Sequence, residues 1–90
     1  MRVLLVEDEP ELAAALASAL TRRGCIVDQA GSLAEGEAAV MTARHEAVLL
    51  DWRLPDGEGV NLLDVIRSGP ARGTPVIMLT ARGDVGDRVL

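Results

Sequence analysis

An α/β fold with a doubly wound parallel sheet is the architecture this sequence predicts, and three observations predict it. Four short apolar runs alternate with segments of helical periodicity, the pattern that right-handed strand-helix-strand crossovers produce. Three of those runs end on oxygen-bearing side chains, and in open sheets of this kind ligands gather beyond the carboxyl ends of the strands. The apolar content is 49%, yet Trp52 is the single aromatic residue, so the core must be aliphatic, as helices packed on a sheet allow.

The first run, Val3-Leu4-Leu5-Val6, is continuously apolar, as expected for a central strand covered on both faces. Asp8 or Glu9 can then cap a helix with Pro10 in its first turn, and Leu12, Leu16 and Leu20 repeat along one side until Gly24 stops it. Arg22 and Arg23 suit the negative end of that helix. Cys25 to Gln29 reads as a second strand, and Ser32-Leu33-Ala34-Glu35 is a capping box that opens a helix running to about Arg44. Gly36, Ala38 and Ala39 let that helix approach the sheet closely. Ala47 to Asp51 is the third strand. Leu54-Pro55-Asp56-Gly57-Glu58-Gly59 follows, and its proline and two glycines predict an irregular loop at the rim, with Asp56 shaping a turn beside Gly57. Val60, Leu63 and Ile66 mark a third helix ended by Ser68-Gly69-Pro70, and Thr74-Pro75 leads into a fourth strand, Val76 to Thr80. A further helix is expected to start near Asp84, with Val85, Val89 and Leu90 on its apolar side.

Ninety residues allow one domain, and a chain this short buries only roughly 60 to 65% of its unfolded surface. The formal charge of −5 and the scattered arginines argue against direct binding to nucleic acid or to an anionic membrane. No run approaches the roughly 20 apolar residues of a membrane span, and the first run is too short for a signal-peptide core. A lone cysteine, Cys25, forms no internal disulfide and reads as a small buried hydrophobe, which makes the cytoplasm the expected compartment. His45 falls on the opposite rim from the acids, where a surface role is expected.

If the runs are parallel neighbours, Glu7, Asp8, Asp51 and Thr80 meet at one rim. Taken singly, Asp8 is a helix cap, Asp51 a solvated strand end and Thr80 a strand residue. Together they form an all-oxygen cluster whose mutual repulsion a hard divalent ion such as Mg²⁺ relieves, with positions left for water and phosphate. A phosphoryl-handling site follows. No glycine-rich nucleotide fingerprint or phosphate-binding loop is present.

Three blocks now carry a resemblance: Val3-Leu4-Leu5-Val6-Glu7-Asp8-Glu9, Leu49-Leu50-Asp51-Trp52-Arg53-Leu54-Pro55-Asp56-Gly57-Glu58-Gly59 and Pro75-Val76-Ile77-Met78-Leu79-Thr80-Ala81. In this order and spacing they resemble the signature blocks of receiver domains, the phosphoacceptor modules of bacterial two-component response regulators, most closely the OmpR/PhoB type with a winged-helix DNA-binding output. The resemblance spans the chain and implies the flavodoxin-like strand order 2-1-3-4, with the family's fifth strand beyond it. It implies that Asp51 accepts a phosphoryl group from a sensor histidine kinase. Asp8 and Asp51 would bind Mg²⁺ (or Mn²⁺) directly, Glu7 would act through a water, and the Arg53 backbone carbonyl would be a further ligand. Thr80 would hydrogen-bond the phosphoryl group and report its presence.

The family also carries a lysine and an aromatic switch residue on its fifth strand, and this sequence contains no lysine. The 90 residues therefore read as a receiver domain truncated before that strand. Two consequences are expected: slower phosphorylation, and a bare fourth-strand edge and uncovered first-helix side that favour self-association. Two other readings compete. One is a phosphorylation-deficient assembly or inhibitory module; the other is an aspartyl-phosphate hydrolase, which wants a second acid where Arg53 stands.

Overall fold

The computed structural model describes residues 1–79 together with the backbone of residues 88 and 89. Strands β1 (Arg2–Val6), β2 (Ile26–Ala30) and β3 (Ala47–Asp51) alternate with helices α1 (Pro10–Arg22) and α2 (Leu33–Thr42). A two-residue pair, β4 (Arg53–Leu54) and β5 (Gly57–Glu58), precedes α3 (Gly59–Ser68), and β6 (Val76–Leu79) and β7 (Arg88–Val89) complete the order. The main sheet runs β2-β1-β3-β6-β7. Its first four strands are parallel and stand in the predicted 2-1-3-4 order, β6 being the fourth long strand.

Two layers cover this sheet, as alternation of side chains along each strand dictates. Leu4, Val6, Val48, Leu50, Val76 and Met78 pack with Leu62 and Ile66 of α3, and Leu33, Ala39 and Val40 of α2 lie against them. On the other face Leu5 packs with Ala13 and Ala17 of α1. The leucine stripe expected to bury α1 is thus corrected: Ala13 and Ala17 are the buried residues, while Leu12, Leu16 and Leu20 are half-buried. The small side chains let the helix settle close to the strands, and the leucines then splay along its flanks. Gly36 serves α2 similarly, since a Cβ there would meet Leu62 Cδ2 at 2.8 Å.

The caps follow the residue types. Of the two candidates at α1, Glu9 is the cap, accepting from the Glu11 and Leu12 amides. Ser32 accepts from the Glu35 amide at 3.1 Å, and Glu35 reaches back to the Gly31 amide at 2.7 Å.

Several local expectations change. The segment after Asp51, expected as an irregular loop, is a small hairpin with Arg53 paired to Glu58 and Leu54 to Gly57, and Gly57 (φ +147°) has the backbone conformation its turn requires. Cys25 is half-buried rather than buried. The fourth-strand edge is not bare: β7 pairs antiparallel with it, Ile77 against Val89 and Met78 against Arg88. Backbone groups left open on β6 find partners in the returning chain, so Val89 is in a strand and not in the expected helix. The helix start at Asp84, and with it Val85 and Leu90, lies outside the described residues, as does Thr80. No described helix is long and apolar enough to cross a membrane.

Candidate acidic site at the carboxyl rim

Parallel pairing alone sets the acids side by side. Val6 pairs with Leu50, so Glu7 and Asp51 follow at the same rim on adjacent strands. Glu7 donates its amide to Ala30 O at 2.9 Å, which keeps its backbone in the sheet. Asp8 begins the connection to α1. One carboxylate oxygen from each of Glu7, Asp8 and Asp51 lies within 4.8 Å of the others. Glu7 and Asp51 are only 5% and 6% exposed, whereas Asp8 faces solvent.

Two buried carboxylates at this separation cannot both shed protons easily. Burial is the main cause that raises the Glu7 carboxyl, to about 7, the Glu9 amide opposes it, and the nearby Asp51 charge adds to it. Asp51 is raised as well, chiefly by burial, against the opposing pull of Glu7 and the Arg53 and Trp52 amides. Glu7 Oε2 accepts from the Glu9 amide at 3.0 Å, while its Oε1 is buried with no hydrogen-bond partner. An orphaned carboxylate oxygen facing other carboxylates suits a proton or a hard cation, and an all-oxygen donor set selects Mg²⁺ or a similar ion over softer metals.

The far wall of the site comes from the hairpin. Trp52 donates its amide to Leu79 O and accepts from the Gly59 amide at 2.8 Å, which folds the 53–58 segment back over Asp51. Trp52 itself is 41% exposed, next to Asp51. Asp51 pairs in register with Leu79, the last residue described on this strand, and Thr80 lies outside the described residues.

Two contacts of this wall escaped the sequence reading. Gly59 appeared only as a loop breaker, yet a Cβ there would lie 2.1 Å from Asp51 O. Asp56 was read as a local turn former, but its carboxylate accepts from the Leu33 and Ala34 amides at 2.7 and 3.0 Å, which hold it below the usual carboxylate range. Neither contact leaves a trace in local pattern, because each joins segments distant in the chain.

His45 is on the opposite rim, as expected, but it is no surface residue. Its side chain is 3% exposed and meets Asp28 Oδ2 at 2.7 Å, where Arg2 also pairs, the β2–β1 register having brought Arg2 beside Asp28. A cleft of about 460 Å³ on that rim, lined in part by His45, Pro70 and Pro75, contains no acid cluster. Size is no guide to the chemistry here, since an ion and a phosphoryl group need only a shallow rim.

Residues 3–89 match the family model described as the response regulator receiver domain. The chain belongs to that family. IrlR, a transcriptional activator protein of Burkholderia pseudomallei, is 42% identical over 99% of this chain, although the chain spans 38% of that relative's length. A putative response regulator from Chloroflexus aurantiacus superposes with a TM-score of 0.87 at 30% identity, covering 93% of this chain and 70% of that one. The response regulator TrrA of Thermotoga maritima, solved in complex with Mg²⁺-BeF, gives a TM-score of 0.83 at 28% identity over 93% of this chain and 76% of that one. Receiver membership and the parallel-sheet order expected from the signature blocks therefore stand, and the relatives with curated names include transcriptional regulators.

Proposed function

We propose that Asp51 of this receiver domain accepts a phosphoryl group from the phosphohistidine of a sensor histidine kinase, with Mg²⁺, to control an output segment that regulates transcription. The observation that carries the reading is the convergence of Glu7, Asp8 and Asp51 within 4.8 Å, with one oxygen of Glu7 left unpartnered. Asp8, Asp51 and the Arg53 carbonyl would hold the ion, Glu7 acting through a bound water. When bound, the ion neutralises the equatorial phosphoryl oxygens and the acids around them. Asp51 attacks phosphorus in line; a new O–P bond forms as the donor's N–P bond breaks, and its electron pair returns to the imidazole. Attack needs the ionised carboxylate, and the Arg53 and Trp52 amides favour that form. Thr80 is assigned the hydrogen bond to the transferred group. The signalling chemistry, the small acidic rim and the lone cysteine make the cytoplasm the proposed compartment.

Incubation with a small acyl phosphate and Mg²⁺, followed by intact mass measurement and peptide mapping, tests this. One Mg²⁺-dependent adduct on Asp51 is expected, formed slowly because no lysine is available to the phosphoryl oxygens. Steady phosphate release without an adduct would favour the hydrolase reading instead. No reaction at all, in a chain that still binds Mg²⁺, would leave only the assembly module.

Self-association belongs to the same proposal through the α1 side of the sheet. Leu16, Val27, Leu49 and Leu79 remain only partly buried there, and α1 is the helix packed on that face among the described residues. Light scattering at micromolar concentration should give a mass above that of the monomer. A cooperatively melting monomer would refute it.

A further inference from the structure

The 53–58 hairpin is held at both ends by contacts that reach beyond itself. On one side Gly59 bonds Trp52 O beneath Asp51. On the other, Asp56 Oδ1 and Oδ2 accept from the Leu33 and Ala34 amides, the first two residues of α2. Gly57 is seated on the same helix start, since a Cβ there would come within 2.7 Å of Leu33 Cδ1. Between these anchors the hairpin has only two residue pairs, Arg53 with Glu58 and Leu54 with Gly57, and a ladder this short does not fix its own position. Arg53 is the residue of this hairpin whose amide faces the Asp51 carboxylate.

We propose that Asp56 is a positioning residue for the acidic site, clamping the hairpin to the N-terminus of α2 so that the Arg53 backbone keeps its place beside Asp51. This inference rests on the metal and phosphoryl reading of the site. A carboxylate that takes two amides of a helix N-terminus is a strong, directional anchor, favoured by both the hydrogen bonds and the helix dipole. Its own oxygens are occupied by α2, so Asp56 acts through the hairpin and not as a ligand. Without it the Arg53 carbonyl and amide lose their fixed distance from Asp51, and sites of this kind are sensitive to shifts on the order of 1 Å.

A Mg²⁺ titration followed by the fluorescence of Trp52, the only tryptophan, separates positioning from simple helix capping. Asp56→Ala should weaken Mg²⁺ binding about 10-fold, the low end of what supporting residues contribute to metal affinity. Asp56→Asn, which retains one acceptor for the Leu33 amide, should fall between that variant and wild type. Ser32→Ala is the control: it removes a cap from the same first turn of α2 without touching the hairpin. It should lower the melting temperature as Asp56→Ala does while leaving Mg²⁺ affinity unchanged. Equal Mg²⁺ affinity in Asp56→Ala and a responding wild type would overturn the positioning role alone, as would an equal loss in Ser32→Ala. A wild type with no Mg²⁺ response would overturn the metal reading and this inference with it.

Discussion

Asp51→Asn is expected to abolish phosphoryl labelling by acyl phosphates and, in the absence of metal, to make the protein more stable. The first effect is loss of the nucleophile, because an amide oxygen does not form the acyl phosphate, and labelling should fall to background. The second follows from the acids. Glu7 has a pKa of about 7 in the folded chain against 4.5 for an ordinary glutamate, so the folded state binds the extra proton between those values. Stability from this group is fully present below pH 4.5 and is lost as pH rises through about 7. Asp51 is raised too and contributes in the same direction. Replacing its charge with an amide removes one cause of the Glu7 shift and offers a donor to the orphaned Glu7 Oε1. A gain of about 1 kcal/mol near pH 8 is the expected scale, held down because water reaches the mouth of the site. Urea melts at pH 5 and pH 8 read the result: the wild type should lose stability across that range, and the variant should lose less. Parallel pH profiles for the two chains would show that Asp51 does not couple to Glu7. Mg²⁺ should reverse the ranking, since an ion bound to the folded wild type stabilises it by mass action and the variant offers that ion one charge fewer.

These acids were legible in the sequence because their placement depends on very little. Once Val3 to Val6 and Ala47 to Leu50 are parallel neighbours, register alone carries Glu7 and Asp51 to one rim. Continuous apolar runs fix the strands, and Pro10, Ser32 and Gly24 punctuate the helices by local backbone chemistry that any context preserves. What was not legible depends on pairs of residues far apart in the chain. Asp56 beside a proline and a glycine has the composition of a turn, and nothing nearby reveals that its carboxylate is occupied by residues 33 and 34. His45 follows the same logic, since only the folded sheet shows that Asp28, distant in the chain, is its partner. The leucines of α1 misled for another reason. A helix with apolar residues on several sides can present either the large or the small ones to a sheet, and close approach favoured Ala13 and Ala17. The edge of β6 shows a further limit, because open backbone groups recruit whatever chain can reach them, here Arg88 and Val89.

Gly59→Ala should be the most damaging added methyl group among the described glycines. The added carbon would sit 2.1 Å from Asp51 O, 3.2 Å from its carbonyl carbon and 3.3 Å from Leu50 Cγ. Gly59 does not have the positive φ of Gly24 and Gly57, so the difficulty is steric and not conformational. Relief requires backbone to move, since the nearest obstacle is a main-chain oxygen and not the far end of a side chain. Asp51 cannot retreat, because β3 is tied to β1 on one side and β6 on the other. Gly59 cannot retreat without losing its bond to Trp52 O at 2.8 Å and starting α3 elsewhere. The cost should reach or exceed about 3 kcal/mol, the upper end for overpacking a well-filled interior, against a total stability of roughly 5 to 15 kcal/mol for a typical domain. Gly73→Ala provides the contrast, with nothing within 4 Å of the new carbon and an effect expected within about 1 kcal/mol of wild type. Thermal melts of the two variants give the comparison directly. If Gly59→Ala melts within a few degrees of Gly73→Ala, the close approach of α3 to Asp51 is not a feature of the folded protein. If it melts far lower but regains its fold with Mg²⁺, the strain is confined to the acidic rim, and the ion can draw the displaced Asp51 back into place.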